Sequence, residues 1–185
     1  MPTPARTSLE EIVLAGRAIV ESDGVDRLTM QRVAKAVGVK APSLYKRVRS
    51  RHDLIRLVIE DVARDLSETL DGAATTGDPR RDLRAMADAL RSFAHAQPTA
   101  YTLLFAQLPE ERRPDQQHLA GTAAAVLRVA SVLAGPDLAL EAARTVVAWA
   151  HGFISMELAG AFRLGGNVDR AYAFGVERLA SALER

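Results

Sequence analysis

The apolar residues of this chain return every three or four positions along almost its whole length, and no stretch alternates apolar with polar side chains as a half-buried strand does. No Asn-Gly pair offers a hairpin turn. Such a pattern folds as helices, because a period near 3.6 gathers apolar side chains on one helix face and scatters them on a strand. The expected class is all-α. Ser8 and Glu11 have capping-box spacing and start a first helix, whose apolar stripe runs through Leu9, Ile12, Gly16 and Ile19 to an end near Asp23-Gly24. A second helix opens at Thr29, with Leu28 and Val33 as a hydrophobic staple and Met30, Val33, Ala34 and Val37 facing inward, and Gly38 stops it. Pro42 is preorganised for the first turn of a third, very short helix ending near Arg49-Ser50.

Ser50 and Asp53 start a fourth helix that reaches about Leu70. "DGAATTGDP" then reads as a flexible connector before a fifth helix from about Arg80 to Ala96. "PTAYTLLFAQL" supplies a sixth. Three more follow, roughly Asp115 to Leu133, Asp137 to Phe162 and Asn167 to Glu184, separated by Gly135-Pro136 and Gly165-Gly166. About nine helices thus form a three-helix head, residues 1–52, joined by the fourth helix to a larger body, residues 53–185. No apolar run approaches the ~20 residues that span a bilayer, and "MPTPARTSLEE" lacks the apolar core of a secretory signal. The cytoplasm is the expected location, with no membrane partner. Without cysteine there are no disulfides and no thiolate metal sites.

Charge separates the two parts. The net charge is only +1, yet Met1 to His52 holds ten Lys and Arg against five Asp and Glu, so the remainder sums to −4. From Leu28 to Ser50 there are six basic side chains and no acidic one. A basic run is also what a solvated face looks like, so charge by itself leaves that reading open. The helix pattern narrows it. Two short helices around a Gly-containing turn have the sequence form of a helix-turn-helix, where small Ala34 permits close approach. On the third helix, Leu44 and Val48 face inward, leaving Ser43, Lys46 and Arg47 outside, flanked by Tyr45. A major groove admits one such helix, while phosphates reward the hydroxyl and cationic donors beside it.

"GVDRLTMQRVAKAVGVKAPSLYKRVRSRHDL" resembles the DNA-binding signature of the tetracycline-repressor (TetR) family of bacterial regulators. The likeness lies in Leu28-Thr29, Val33-Ala34, Gly38-Val39, Ser43-Leu44-Tyr45 and the Ser50-x-x-Asp53-Leu54 start of the fourth helix, within the first quarter of the chain. It implies that Thr29 and Tyr45 bind phosphates, that Ser43 and Lys46 lie in or beside the groove, and that Arg51 grips the backbone, with Lys40 and Arg47 in the same DNA-binding set. Val48 departs from the pattern, since the family commonly has an aromatic there; a smaller plug implies looser packing between the third and fourth helices. "WAHG", Trp149 to Gly152, resembles the Trp-x-His-Gly mark of one subclass of the family.

The resemblance also implies a homodimer and a small-molecule effector. The eighth helix is apolar nearly all round, with Ala142, Val146, Trp149, Phe153, Met156 and Gly160 on one stripe and Val147, His151, Ile154 and Leu158 on another. The last helix adds Tyr172, Val176 and Leu179. These faces suit a dimer of last-helix pairs, as the family commonly forms, and suit the core of a monomer as well. His151 fits a ligand contact, a dimer contact or a satisfied core position. An effector pocket draws its expected lining from Met86, Leu90 and Phe93, from Tyr101, Leu104 and Phe105, and from Trp149, Phe153 and Met156, which favours a largely apolar ligand. The same residues serve a filled core. His52, His95, His118 and His151 have no partner at metal-ligand spacing, so no metal or other cofactor is expected. The expected function is a DNA-binding regulator, a repressor released from a palindromic operator by its ligand, with coupling through the fourth helix. The alternative is a small helical enzyme in which Asp88 and His95, seven apart on one helix, act as an acid–base couple.

Overall fold

The computed structural model describes residues 7–114 and 116–184, and of residues 116–120 the backbone alone. Among the described residues it holds nine α-helices and no strand: α1 (Leu9–Asp23), α2 (Met30–Ala36), α3 (Ala41–Leu44), α4 (Arg51–Ala73), α5 (Pro79–Ala96), α6 (Pro98–Leu104), α7 (Gln116–Ala134), α8 (Ala139–Leu158) and α9 (Val168–Leu183). Asp115, where the sequence pattern starts the seventh helix, lies outside the described residues. The chain divides into two compact units, Met1–Val62 with Thr99–Gln116, and Ala63–Pro98 with Gln117–Arg185.

In the first unit the capping box at the start of α1 is formed. Ser8 Oγ accepts from the Glu11 N–H at 3.0 Å, and the Glu11 carboxylate accepts from the Ser8 N–H at 2.8 Å. Ile12, Gly16 and Ile19 are buried as the spacing predicts, whereas Leu9 is partly exposed, so the covered stripe begins at Ile12. Gly16 lies against α4. A Cβ there would stand 3.0 Å from Val58 Cγ2 and 3.6 Å from Leu28 Cδ1. Leu28, Val33, Leu44 and Val48 are wholly enclosed, Val48 included despite its small size. The fourth helix starts as its signature predicts, the Asp53 N–H donating to Ser50 Oγ at 3.1 Å.

The second unit corrects two expectations. The segment read as a flexible connector is tied down: Asp82 accepts from the Thr76 hydroxyl at 2.7 Å, the Thr76 N–H at 2.8 Å and the Gly77 N–H at 3.1 Å. These bonds, the Thr76 hydroxyl first, hold the Asp82 carboxyl below the usual carboxylate range. The eighth helix also ends four residues before Phe162. Gly160, read as one more small residue in a stripe, adopts φ 63°, and the Ala161 N–H turns back to the Met156 carbonyl at 2.9 Å. Only glycine takes that left-handed angle without strain.

Helices α5, α8 and α9 pack together. The Trp149 ring stacks on Tyr172, with centroids 5.4 Å apart and planes at 28°, and lies across Gly175. A Cβ at Gly175 would stand 2.0 Å from Trp149 Cζ2. Gly175→Ala therefore sets two effects against each other: about 1 kcal/mol gained in helix propensity, and about 1–3 kcal/mol or more lost to overpacking. At 2.0 Å the clash prevails. Urea unfolding should show a net loss of roughly 1–2 kcal/mol, and a gain would mean that the indole moves aside freely.

Candidate nucleic-acid interface

Thr29 Oγ1 caps α2 by accepting the Arg32 N–H at 3.2 Å. The helix closes where Gly38 takes φ 72° and the Val39 N–H reaches back to the Ala34 carbonyl at 2.9 Å. Pro42 sits in the first turn of α3, and beyond its four residues the chain keeps turning, the Val48 N–H bonding to the Leu44 carbonyl at 2.9 Å. With Leu44 and Val48 sealed inside, Lys40, Ser43, Tyr45, Lys46 and Arg47 all stand exposed on the outer side of this segment.

Pairing sorts the cations of the first unit. Arg17 reaches Asp61 at 2.9 Å, Arg32 binds Asp23, and Arg56 holds Asp53 and Glu60 at 2.6 Å each. The Arg32 hydrogen bond keeps Asp23 ionised below its usual range, and the Arg49 N–H with the Arg56 guanidinium does so for Asp53 against the cost of desolvation. Arg51, which the resemblance assigns to phosphate, commits two donors to the fold. Its Nε donates to the Leu28 carbonyl at 2.6 Å and Nη2 to the Val25 carbonyl at 2.7 Å. Among the described residues Lys35, Lys40, Lys46 and Arg47 make no ion pair. Lys35, exposed on α2, was missed by the sequence reading, although it is one of the six basic residues of the run.

The expected effector lining is divided by the fold. Met86, Leu90 and Phe93 are buried on α5, whereas Tyr101 and Phe105, whose rings lie 5.1 Å apart, belong to the first unit. Trp149 and Phe153 meet Tyr172 in an aromatic cluster that Phe162 extends, with centroids 4.7–5.5 Å apart. Met156 is half exposed. The dimer residues divide too. Val147, His151, Leu158 and Leu179 are partly exposed, but Ile154, Tyr172 and Val176 are covered by their own chain, and the Tyr172 hydroxyl donates to the Ala87 carbonyl at 2.7 Å. The large apolar side chain that α9 does expose is Phe174, 64% accessible beneath Arg178.

An open groove of about 520 Å³ on the second unit is lined by Asp88, Arg91, Ser92 and His95 of α5, Glu157 of α8 and Asp169 of α9. Arg91 lies over the Tyr172 ring and clamps Glu157, with Nε to Oε2 at 2.8 Å, and Asp169 at 2.7 Å. The Glu157 bond, with Asp169 behind it, raises the Arg91 pKa against desolvation. Asp88 and His95 share the groove, but His95 Nε2 pairs with Glu157 at 3.1 Å. His151 is kept towards its neutral form by burial, with Ser155 Oγ 3.4 Å from its Nε2. Among the described residues no group of three or more acidic or His side chains is arranged to hold a metal; the His118 side chain lies outside them.

Two family models match the chain: "Bacterial regulatory proteins, tetR family" over residues 12–58 and "Tetracyclin repressor-like, C-terminal domain" over residues 83–179. An uncharacterised HTH-type transcriptional regulator of Mycobacterium tuberculosis, Rv0681, is 34% identical over 98% of this chain and 84% of its own length. Among solved structures, a protein of unknown function from Rhodococcus sp. RHA1 matches with TM-score 0.82 at 22% identity, over all of both chains. A TetR variant from Acinetobacter baumannii AYE, crystallised with minocycline, matches with TM-score 0.69 at 20% identity over 95% of this chain and 96% of that one. These two likenesses are of fold.

Two measurements check this geometry. Arg51→Ala removes two charge-assisted bonds to the carbonyls ahead of α2, so it should cost about 1–3 kcal/mol in urea unfolding even without DNA. Glu157 is held down to about 2, from an ordinary 4.5, by the Arg91 hydrogen bond, with desolvation opposing and His95 assisting. A depressed carboxylate contributes stability that is fully present above 4.5 and lost as the pH falls through about 2. Glu157→Gln should therefore be less stable at pH 7 but lose less stability between pH 5 and 2 than the wild type. Parallel acid unfolding curves would contradict the clamp.

Proposed function

We propose, from the premise that this chain belongs to the tetR family of bacterial regulatory proteins and is a DNA-binding transcriptional regulator, that it is a homodimeric repressor released from a near-palindromic operator by a small, largely apolar molecule. The observation that carries the reading is the exposed, internally unpaired cationic surface formed by Lys40, Lys46 and Arg47, beside Ser43 and Tyr45, over a sealed Leu44–Val48 seam. Exposed cations that the fold does not neutralise remain available to an anionic partner. In this reading Ser43 and Lys46 meet base edges, and Tyr45, Arg47, Lys40 and the Thr29 hydroxyl bind phosphates. Lys35 joins them. Arg51 serves the surface from behind, by fixing the backbone ahead of α2.

Residues 1–52 act as the DNA-binding head and 53–185 as the ligand-binding and dimerisation part, in a cytoplasmic protein. Among the described residues no helix is long and apolar enough to cross a membrane. The aromatic cluster of Trp149, Phe153 and Tyr172 is the proposed wall of the effector site, and "WAHG" supports a reading as the Trp-x-His-Gly subclass. The minocycline complex of the A. baumannii neighbour supports a small-molecule effector. For the dimer face, Phe174 with Val147, His151, Leu158 and Leu179 replaces the three side chains buried within their own chain.

Selection of bound fragments from random DNA tests the reading. Two-fold symmetry requires paired half-sites centred about 34 Å apart, or a multiple of it. Affinity should fall steeply with salt, as phosphate neutralisation demands. Lys46→Ala should cost about 1–3 kcal/mol of discrimination at one base position, while Tyr45→Phe should weaken all sequences alike. Recovery of single asymmetric motifs, or a flat salt response, would count against it.

A further inference from the structure

The last turn of α1 carries two carboxylates, Glu21 and Asp23, and no basic residue. That is the wrong sign for a helix C-terminus, where exposed carbonyls favour cations. Both side chains are drawn off to other elements. Asp23 binds Arg32 on α2, the first helix of the helix-turn-helix. Glu21 reaches the start of α6, where Oε1 accepts from the Thr99 N–H at 3.3 Å and Oε2 from the Ala100 N–H at 2.9 Å, while the Thr99 hydroxyl donates to the Glu21 carbonyl at 3.4 Å. A carboxylate that opposes one helix dipole completes another.

Helix α6 is itself firmly seated, with Ala100, Tyr101 and Leu103 buried, and Thr99–Gln116 belongs to the same compact unit as the helix-turn-helix. Gln97 alone separates its first residue from the end of α5. Glu21 is an α1 side chain bonded to the start of α6.

We infer that Glu21 is a positioning residue for DNA binding: it joins α6 to the last turn of α1, the helix that packs against α2 and whose Asp23 also binds Arg32 there. The inference rests on the reading of this chain as a DNA-binding repressor.

Electrostatics gives the test its sign. Removing a negative charge from the head should strengthen attraction to phosphate, whereas loss of a positioning contact should weaken binding. The full-length wild type, Glu21→Gln, Glu21→Asp and, as a charge control, Glu10→Gln on the exposed side of α1 are titrated against DNA from the gene's own upstream region. Hydrogen exchange is followed at the Thr99 and Ala100 amides. The expected result is at least tenfold faster exchange at both amides and at least fivefold weaker DNA binding for Glu21→Gln, with equal or tighter binding for Glu10→Gln. Glu21→Asp keeps the charge and shortens the reach; it should fall between, and it decides the matter if Glu21→Gln does not fold. Faster exchange with unchanged or tighter DNA binding reduces Glu21 to a helix cap and overturns the inference, as does unchanged exchange. If the wild type binds no DNA, the repressor reading itself fails, a result separable from any difference among the variants.

Discussion

The close approach of α1 to α4 at Gly16 is the contact on which the helix-turn-helix depends. Helices of seven and four residues, such as α2 and α3, do not persist alone, because ordering each residue costs about 1–2 kcal/mol and a short helix returns few hydrogen bonds. Their stability comes from burying Leu28, Val33, Leu44 and Val48, each contributing about 1.5–3 kcal/mol. The surface they are buried against exists only if α1 and α4 lie nearly in contact. A Cβ at residue 16 would press on Val58 at 3.0 Å and come into ordinary contact with Leu54 and Leu28 at 3.5 and 3.6 Å, which leaves no room for a larger side chain. Two of those belong to α4 and the third leads into α2, so one small residue lets α1 lie against both.

What the sequence discloses follows from the range of each signal. Caps act within three residues, and Ser8, Thr29 and Asn167 all start helices where the pattern puts them. The inward turn of Leu44 and Val48, and with it the outward Ser43, Lys46 and Arg47, is likewise a local matter of four residues. Gly160 escaped because an apolar stripe can be counted through a glycine whether or not the backbone turns there. Ile154, Tyr172 and Val176 escaped for a different reason. Helical spacing says that a face is covered but not whether the cover is its own chain or another, and here α5 and its neighbours supply it.

Charge shows the same limit from another side. The sequence concentrates cations in the head, but it does not say which of them are already spent. Arg17 finds Asp61 forty-four residues away, and Arg51 finds carbonyls twenty-three and twenty-six residues back. Once these are set aside, Lys40, Lys46 and Arg47 are among the cations left exposed, and they occupy the outside of the recognition segment. The functional conclusion therefore rests less on how basic the segment is than on which charges the fold leaves unneutralised.

The body of the chain shows the opposite economy. Arg91, Glu157, His95 and Asp169 answer one another across three helices, and Arg80 at the start of α5 holds Glu177 and Glu184 on α9 at 2.6 and 3.1 Å. Exposed pairs such as those of Arg80 contribute little each, about 0–1 kcal/mol. Arg91 and Glu157 differ, being 18% and 13% exposed, so each needs the other to offset its desolvation. A carboxylate held at about 2 is a poor proton acceptor near neutrality. The groove it lines thus has the chemistry of a clamp, which keeps the C-terminal end of α8 and the N-terminal end of α9 against α5. The consequence is a rigid frame around the aromatic cluster, so that α5, whose end leads directly into α6, is positioned by the same ions that fix the walls of the proposed effector site.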